Sequence, residues 1–353
     1  MVRLSDLIGN KGKPPEEKSR PAAAPQPQPP PGSSISGAPA APAAPPARPA
    51  AAASPIPPAV SGLEAYYVKL SLCVKDLLGQ ARSGQPLQLT EAAMLTQQVP
   101  KLSPGQYDEI LMCDERHPEE HYLVTHSVHV SFLVNRLACI LGYTSATVHQ
   151  LSLAGLLIDI GMAGEIEQVV QAPRPLTKEE RKFVAQHPSN AVALLKESQE
   201  LSQEALGAIA AHHLRAGGAE VPKDLPSATV LEYARILAVA DVYDALTHVR
   251  SHRKLINPAQ AVKMLIDGVG DQFERRVVKA LVDELSLYPR GSTVKLNTNE
   301  LAVVHRVHPG SPLRPIVLIH QDADRNPVVP PRTMNLVEHP LVYIKDVVID
   351  EPQ

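Results

Sequence analysis

The chain has no tryptophan, three phenylalanines and nine tyrosines among 353 residues. A core must therefore be built from Leu, Ile, Val and Ala, and the stretch after residue 60 is long enough to bury one. Cysteine is scarce as well. Cys73, Cys113 and Cys139 are an odd number, widely separated in apolar, helical-looking stretches, which reads as reduced thiols in a cytosolic protein rather than a disulfide framework. No CxxC and no Cys/His zinc spacing occurs. Neither sign of charge dominates: 34 Lys and Arg stand against 37 Asp and Glu, for a net −3. There is no basic half and no long block of one sign, so nothing supports a nucleic-acid polymer or an anionic membrane surface as partner. No stretch approaches the ~18 uninterrupted apolar residues of a membrane span, since VSFLVNRLACILGY is broken by Asn135 and Arg136. The opening MVRLSDLIGNKGK lacks the apolar run of a signal peptide. The expectation is a soluble cytoplasmic protein with no membrane span.

Proline is plentiful but uneven, with 16 of the 35 prolines in residues 1–60. Residues 21–60 alternate Pro with Ala, which removes backbone donors and blocks helix, so residues 1–60 read as a disordered tail acting mainly as an extended tether. Residues 1–12 have room for a short docking peptide. From residue 61 the texture changes. Leu63, Tyr66, Tyr67, Leu70, Cys73, Val74, Leu77, Leu78 and Ala81 recur at three and four, the face of an amphipathic helix, and two shorter helical stretches begin at Thr90 and Gln106. This gives a helical N-terminal region over 61–114. Helical periodicity continues over 115–290, broken at Gly142, Pro173–Pro175, Gly217–Pro226 and Asn257–Pro258. Beyond that, over 291–353, short β-branched runs (STVKL, LAVVHRV, PIVLIH, LVYIKDVV) predict a small all-β appendage of four or five strands. The fold class expected is mainly α, a helical bundle with a β appendage.

The chemistry-bearing residues lie in the long helical block: His126 in VTHSVHV, Asp159 in LLIDIGM, His187 in QHPSNA, His212 and His213 in AAHHLRAGG, and Asp241 with Asp244 in VADVYDALT. Carboxylates inside such apolar runs are expected to be partly buried, and a buried charge without a partner costs several kcal/mol. For any one of them a helix cap or a buried arginine is the ordinary partner. A set of imidazoles and carboxylates suits a divalent Mn, Fe or Zn better than Mg or Ca.

The runs THSVHVSFLVNRLACILGY, LAGLLIDIGM, PLTKEERKFVAQHPSNAVALL, AAHHLRAGGAEVP and ARILAVADVYDALTHVRSHRKL, in that order, resemble the HD-GYP branch of the HD phosphohydrolases, the bacterial cyclic di-GMP phosphodiesterases. The resemblance covers about residues 115–290, and the β run resembles an appendage often found after that domain. It implies an HD-type helical bundle with metals held by His126, Asp159, His187, His212, His213 and Asp241. Asp159 would bridge and share in catalysis. Metal ions in such a site activate water and offset charge on a phosphodiester. Arg250 and Arg253, in RSHR where the family has RPYR, would grip phosphate or guanine edges.

The departures are equally specific. Where the family has HDIGK, Ile158 replaces the histidine and Met162 the lysine. Where it has HHErxDGSGYP, Leu214 replaces Glu and Gly217 replaces Asp, and GYP becomes Glu220-Val221-Pro222. Tyr122 stands where a glutamate is expected one turn before the first histidine. One metal position then keeps Asp159, His187, His212 and His213, while the other keeps His126, Asp159 and Asp241 and lacks its fourth ligand. The expectation is about one metal per chain and a signalling module that is catalytically impaired, acting by binding metal, cyclic di-GMP or a signalling protein partner. The alternatives are an active cyclic di-GMP phosphodiesterase and a metal-free structural adaptor.

Overall fold

A computed structural model of the chain describes residues 62–99, 107–116, 121–172, 174–215, 227–248, 256–308 and 310–348. The Pro/Ala tether, residues 1–12, Gly217–Pro222 and the arginine pair Arg250 and Arg253 lie outside the described residues.

The periodic stretches are helices. The first region forms α1 (Leu63–Arg82), α2 (Thr90–Gln97) and α3 (Tyr107–Arg116). Next come α4 (Tyr122–Ile140), α5 (Ser145–Leu156), a single 3-10 turn at Ile160–Met162, α6 (Glu165–Val170), α7 (Lys178–Val184), α8 (His187–Leu195) and α9 (Gln203–Ala211). The block ends with α10 (Ala228–Thr247), α11 (Pro258–Asp267) and α12 (Arg275–Leu285). Their starts are written locally. Thr144, Ser202 and Ser227 accept at the N-termini of α5, α9 and α10 from the amides of Thr147, Ala205 and Val230, and Thr177 with Glu180 forms a capping box on α7.

Helix α4 is the centre of the bundle, packed against α1, α3, α5, α10 and α12. It is long and apolar enough to cross a bilayer by composition, yet 89% of its apolar window is buried inside the fold. A helix apolar on all sides belongs in a core, and burying each Leu, Val or Phe there contributes about 1.5–3 kcal/mol. Because so little of α4 is left for water, His126 and His129 are buried completely and need partners inside the protein.

The C-terminal strands are β1 (Thr293–Leu296), β2 (Leu301–Arg306), β3 (Ile316–Gln321), β4 (Pro327–Asn335) and β5 (Ile344–Val347). They form one antiparallel sheet in the order β4-β3-β2-β1-β5. Alternate residues of β1, β2 and β3 point inward, and Val294, Leu296, Ala302, Val304, Val317 and Ile319 make a separate small core. The prolines of PVVPPRTMN argue against a strand, and the sequence pattern omits it. The structure places it at the sheet edge, where missing N–H donors are tolerated. Asn257, at the start of α11, ties sheet to helices: its Nδ2 donates to the carbonyls of Thr293 at 2.9 Å and Val348 at 3.1 Å.

Candidate metal centre

His126 projects from α4, Asp159 from the residue before the 3-10 turn, His187 from the first turn of α8, His212 and His213 from the end of α9, and Asp241 from α10. These separate segments meet at one point. His126 Nε2 lies 3.3 Å from both Asp159 Oδ2 and Asp241 Oδ1. His187 Nε2 lies 3.3 Å from Asp159 Oδ1, from His212 Nε2 and from His213 Nε2. Asp159 thus divides its two oxygens between the histidines of α4 and α8. All six residues that the resemblance implies as metal ligands are brought together.

Close backbone approach makes this possible. A Cβ on Gly161 would stand 2.1 Å from the carbonyl oxygen of His187 and 2.5 Å from the amide nitrogen of Ala191, so only glycine lets the turn after Asp159 press against α8. On the outer side, Glu167 of α6 is clamped by Arg82 of α1 through bonds of 2.8 and 2.6 Å, which anchors the segment that follows the turn.

The hydrogen bonds at the far sides of the rings fix what the near sides can do. His187 Nδ1 donates to the Val184 carbonyl at 2.8 Å and His212 Nδ1 to the Ile209 carbonyl at 2.6 Å. A carbonyl only accepts, so in the neutral rings the protons sit on Nδ1 and both Nε2 atoms carry bare lone pairs. Those lone pairs face each other across 3.3 Å beside a carboxylate, an arrangement that lacks a positive charge between them. His126 repeats the pattern. Its Nδ1 donates to Asp244 Oδ2 at 2.7 Å, and its Nε2, buried between two carboxylates, has no hydrogen bond. Imidazoles oriented from behind by carbonyl or carboxylate, with Nε2 turned inward, have the form of metal ligands held by an outer shell. His187, His212 and His213 offer ligand atoms within 4.8 Å of one another. The residues present therefore fit a divalent metal.

Electrostatics points the same way. Burial opposes a charge on His126, but stacked Tyr122 and the carboxylates of Asp241, Asp244 and Asp159 outweigh it and raise its pKa well above the ordinary range. Without a metal, a proton on this ring supplies part of the missing charge. Burial lowers the pKa of His212; His213 is crowded by protein atoms and by the His212 and His187 rings, which push its pKa down, although its outer edge is exposed. Burial works against ionised Asp241, yet His126 and the paired histidines hold its carboxyl well below the usual range.

Ile158 is completely buried and Met162 nearly so, and neither can donate to a cation of this class. Two features went unassigned in the sequence. Asp244 accepts at a single carboxylate from His126, His129 and His248, and the signal was the shared spacing of three, His126 to His129 and Asp241 to Asp244. Arg215, whose Nη1 donates to the His212 carbonyl at 3.3 Å, stacks its guanidinium 5.7 Å from the Phe273 ring centre.

Comparison with known proteins agrees with this geometry. The HD domain family matches residues 111–277, and the KOW domain associated with HD domains matches residues 293–352. The cyclic di-GMP phosphodiesterase PA4108 of Pseudomonas aeruginosa is 30% identical over 263 residues, 74% of this chain and 63% of that protein. The cyclic di-GMP phosphodiesterase PdeB of Borreliella burgdorferi is 24% identical over 197 residues, 56% of this chain and 52% of its own length. The 3'3'-cGAMP-specific phosphodiesterase 2 of Vibrio cholerae is 28% identical over 159 residues, 45% of this chain and 30% of its own length. The chain spans less than two thirds of each of these relatives. Sequence order, converging imidazoles and relatives all lead to one lineage: residues 111–277 match the HD domain family, and their motifs resemble its HD-GYP branch.

Proposed function

We propose that the protein is a bacterial cytoplasmic signalling module that binds one divalent metal (Mn, Fe or Zn) in this cleft and recognises a cyclic dinucleotide, cyclic di-GMP first among them, without turning it over efficiently. The observation that carries the reading is the contrast around Asp159. On one side its Oδ1 meets His187, itself in contact with His212 and His213. In the chain just before it stands buried Ile158, where the family places a ligand.

A bound divalent metal lowers the pKa of its water and neutralises charge on a phosphodiester. The protein's own contribution is to hold His187, His212, His213 and Asp159 as ligands, with Asp159 linking them to His126. On this reading His126 and Asp241 form an incomplete second position. Arg250 and Arg253 would hold the phosphates or guanine edges. Arg215 adds a fixed cation beside the double histidine. Such a cleft recognises phosphate and reports it to a protein partner, while a two-metal clamp on attacking and leaving oxygens is not assembled.

Metal analysis of the purified full chain, run beside calorimetric titration with cyclic di-GMP and an assay of its hydrolysis, tests this. The expected result is metal that His212→Ala removes from the cleft, saturable binding, and hydrolysis slower than that of complete HD-GYP sites by about two to three orders of magnitude, equivalent to a few kcal/mol in the transition state. Brisk hydrolysis would replace it with an active phosphodiesterase. Failure to bind any metal would replace it with a structural adaptor.

A further inference from the structure

One helical turn beyond His126 on α4 and Asp241 on α10, the same two helices bring together a second set of donors. His129 Nδ1 lies 3.1 Å and His248 Nδ1 2.8 Å from Asp244 Oδ1, while the other oxygen of Asp244 is engaged by His126 at 2.7 Å. We propose that His129, Asp244 and His248 form a second transition-metal site, separate from the cleft and joined to it through the Asp244 carboxylate.

The donor set is two imidazole nitrogens and one carboxylate oxygen, all within 4.8 Å of one another. Ligands about 2.0–2.2 Å from a tetrahedral zinc stand roughly 3.3 Å apart, close to the observed spacing. Such ligands suit Zn, Fe(II) or Co(II) and exclude Mg and Ca. His129 and Asp244 are fully buried. The remaining nitrogen of His129, Nε2, has no hydrogen bond, so this ring sits in the core of α4 with a single polar contact, aimed at Asp244. Tyr107 and Tyr67 flank it edge-on and tilted at 6.3 and 6.2 Å. Placing a polar ring among apolar and aromatic groups is costly unless its one contact is strong, and metal coordination supplies that strength.

The His129 and His248 ring centres are only 4.4 Å apart and both Nδ1 atoms approach one carboxylate oxygen, His248 Nδ1 lying also 3.2 Å from the Asp244 backbone carbonyl. As hydrogen-bond donors they compete for that oxygen; as ligands they share a cation with it. The His248 side chain keeps 15% of its surface exposed at the end of α10, which gives an ion a way in and leaves a fourth position for water. The orientation of Asp244 also survives loading, because its Oδ2 stays on His126 while Oδ1 takes the metal.

The test uses the full chain, stripped with a chelator and reloaded with Co(II) or Zn(II). Metal per chain and the visible absorption of tetrahedral Co(II) are read in wild type, His248→Ala, His248→Cys and His212→Ala. His248 ends a helix at the surface, so its replacement leaves the core in place, and the Cys variant restores a ligand. The expected wild-type count is two. It falls to one in His248→Ala, returns to two in His248→Cys with sulfur-to-cobalt charge-transfer bands, and falls to one in His212→Ala through loss of the other ion. A wild-type count of one that His248→Ala abolishes would keep this site and defeat the reading of the cleft. An ion that His212→Ala abolishes, with no change of count or spectrum in His248→Ala, would overturn this site and leave the cleft intact.

Discussion

His126 Nδ1 donates to Asp244 Oδ2 at 2.7 Å between two side chains that are both fully buried. This contact fixes the tautomer of His126 and turns its Nε2 toward Asp159 and Asp241. Burial opposes the charge on Asp244, but His248, His126 and His129 hold its carboxyl well below the ordinary range, which favours the anion.

Removing that anion while keeping its shape is therefore informative. Asp244→Asn can still accept from one imidazole, but its amide nitrogen presents N–H to another and the negative charge is lost. Zinc is expected to bind about 10–100-fold more weakly where Asp244 acts as an outer-shell partner through His126, and the His129–His248 site loses a ligand outright. Zinc titration against a competing chelator measures it, and an affinity equal to that of wild type would show that Asp244 does not orient His126.

Gly161 makes a purely steric prediction. A methyl group there meets backbone atoms of His187 and Ala191, which cannot rotate aside as a side chain can. Gly161→Ala is expected to destabilise the fold by about 1–3 kcal/mol or more and to weaken metal binding by displacing α8. Chemical denaturation with metal titration checks both. Unchanged stability would mean that the turn can move away from α8 freely.

Asp108 gives a pH dependence at a group that is not among the metal ligands. Burial pushes its carboxyl from 3.8 up to about 7, against the pull of Arg290, the Val307 amide and Arg306 and with the repulsion of Glu284. Between those two values the unfolded chain is ionised and the folded protein protonated, so folding takes up a proton and stability falls as pH rises from about 4 to about 7. Asp108→Asn mimics the neutral acid. It is expected to give no gain near pH 4 and a gain of up to about 4 kcal/mol at pH 8. Thermal melts across that range decide it, and a gain independent of pH would place the cause in packing.

Helix periodicity made α1 legible because its apolar residues recur every three or four positions, α4 and α10 were legible as long apolar runs, and the β-branched runs of β1 to β3 were equally direct. Strand β4 was not, since Pro330 and Pro331 speak against a strand and only the sheet order shows that it lies at an edge. Within the centre, Asp159 and Asp241 stood out as charges in apolar runs. His129 did not, because a single histidine on a buried helix face is ordinarily packing, and its meaning comes from Asp244 on another helix and from His248 at that helix's end. Such pairings depend on how α4 and α10 cross, which no local spacing records.

The replaced residues beside Asp159 allow the sharpest prediction. Ile158→His with Met162→Lys returns an imidazole and a cation to the places where the family carries them, in the segment of Asp159, which already meets His126 as His126 meets Asp241. The double variant is expected to take up one metal equivalent more than wild type and to raise cyclic di-GMP hydrolysis by about two to three orders of magnitude, the gain assigned to one metal's stabilisation of the transition state. Leu214→Glu alone is expected to do less, because it restores neither the missing ligand nor the cation. Ile158 is fully buried, so a polar ring there is costly without a metal. The double variant should accordingly be less stable than wild type when stripped and should recover on loading. A variant that gains the metal but no hydrolysis would place the block in the altered segment from Leu214 to Pro222. One that gains neither would show that Ile158 and Met162 are not what impairs the site.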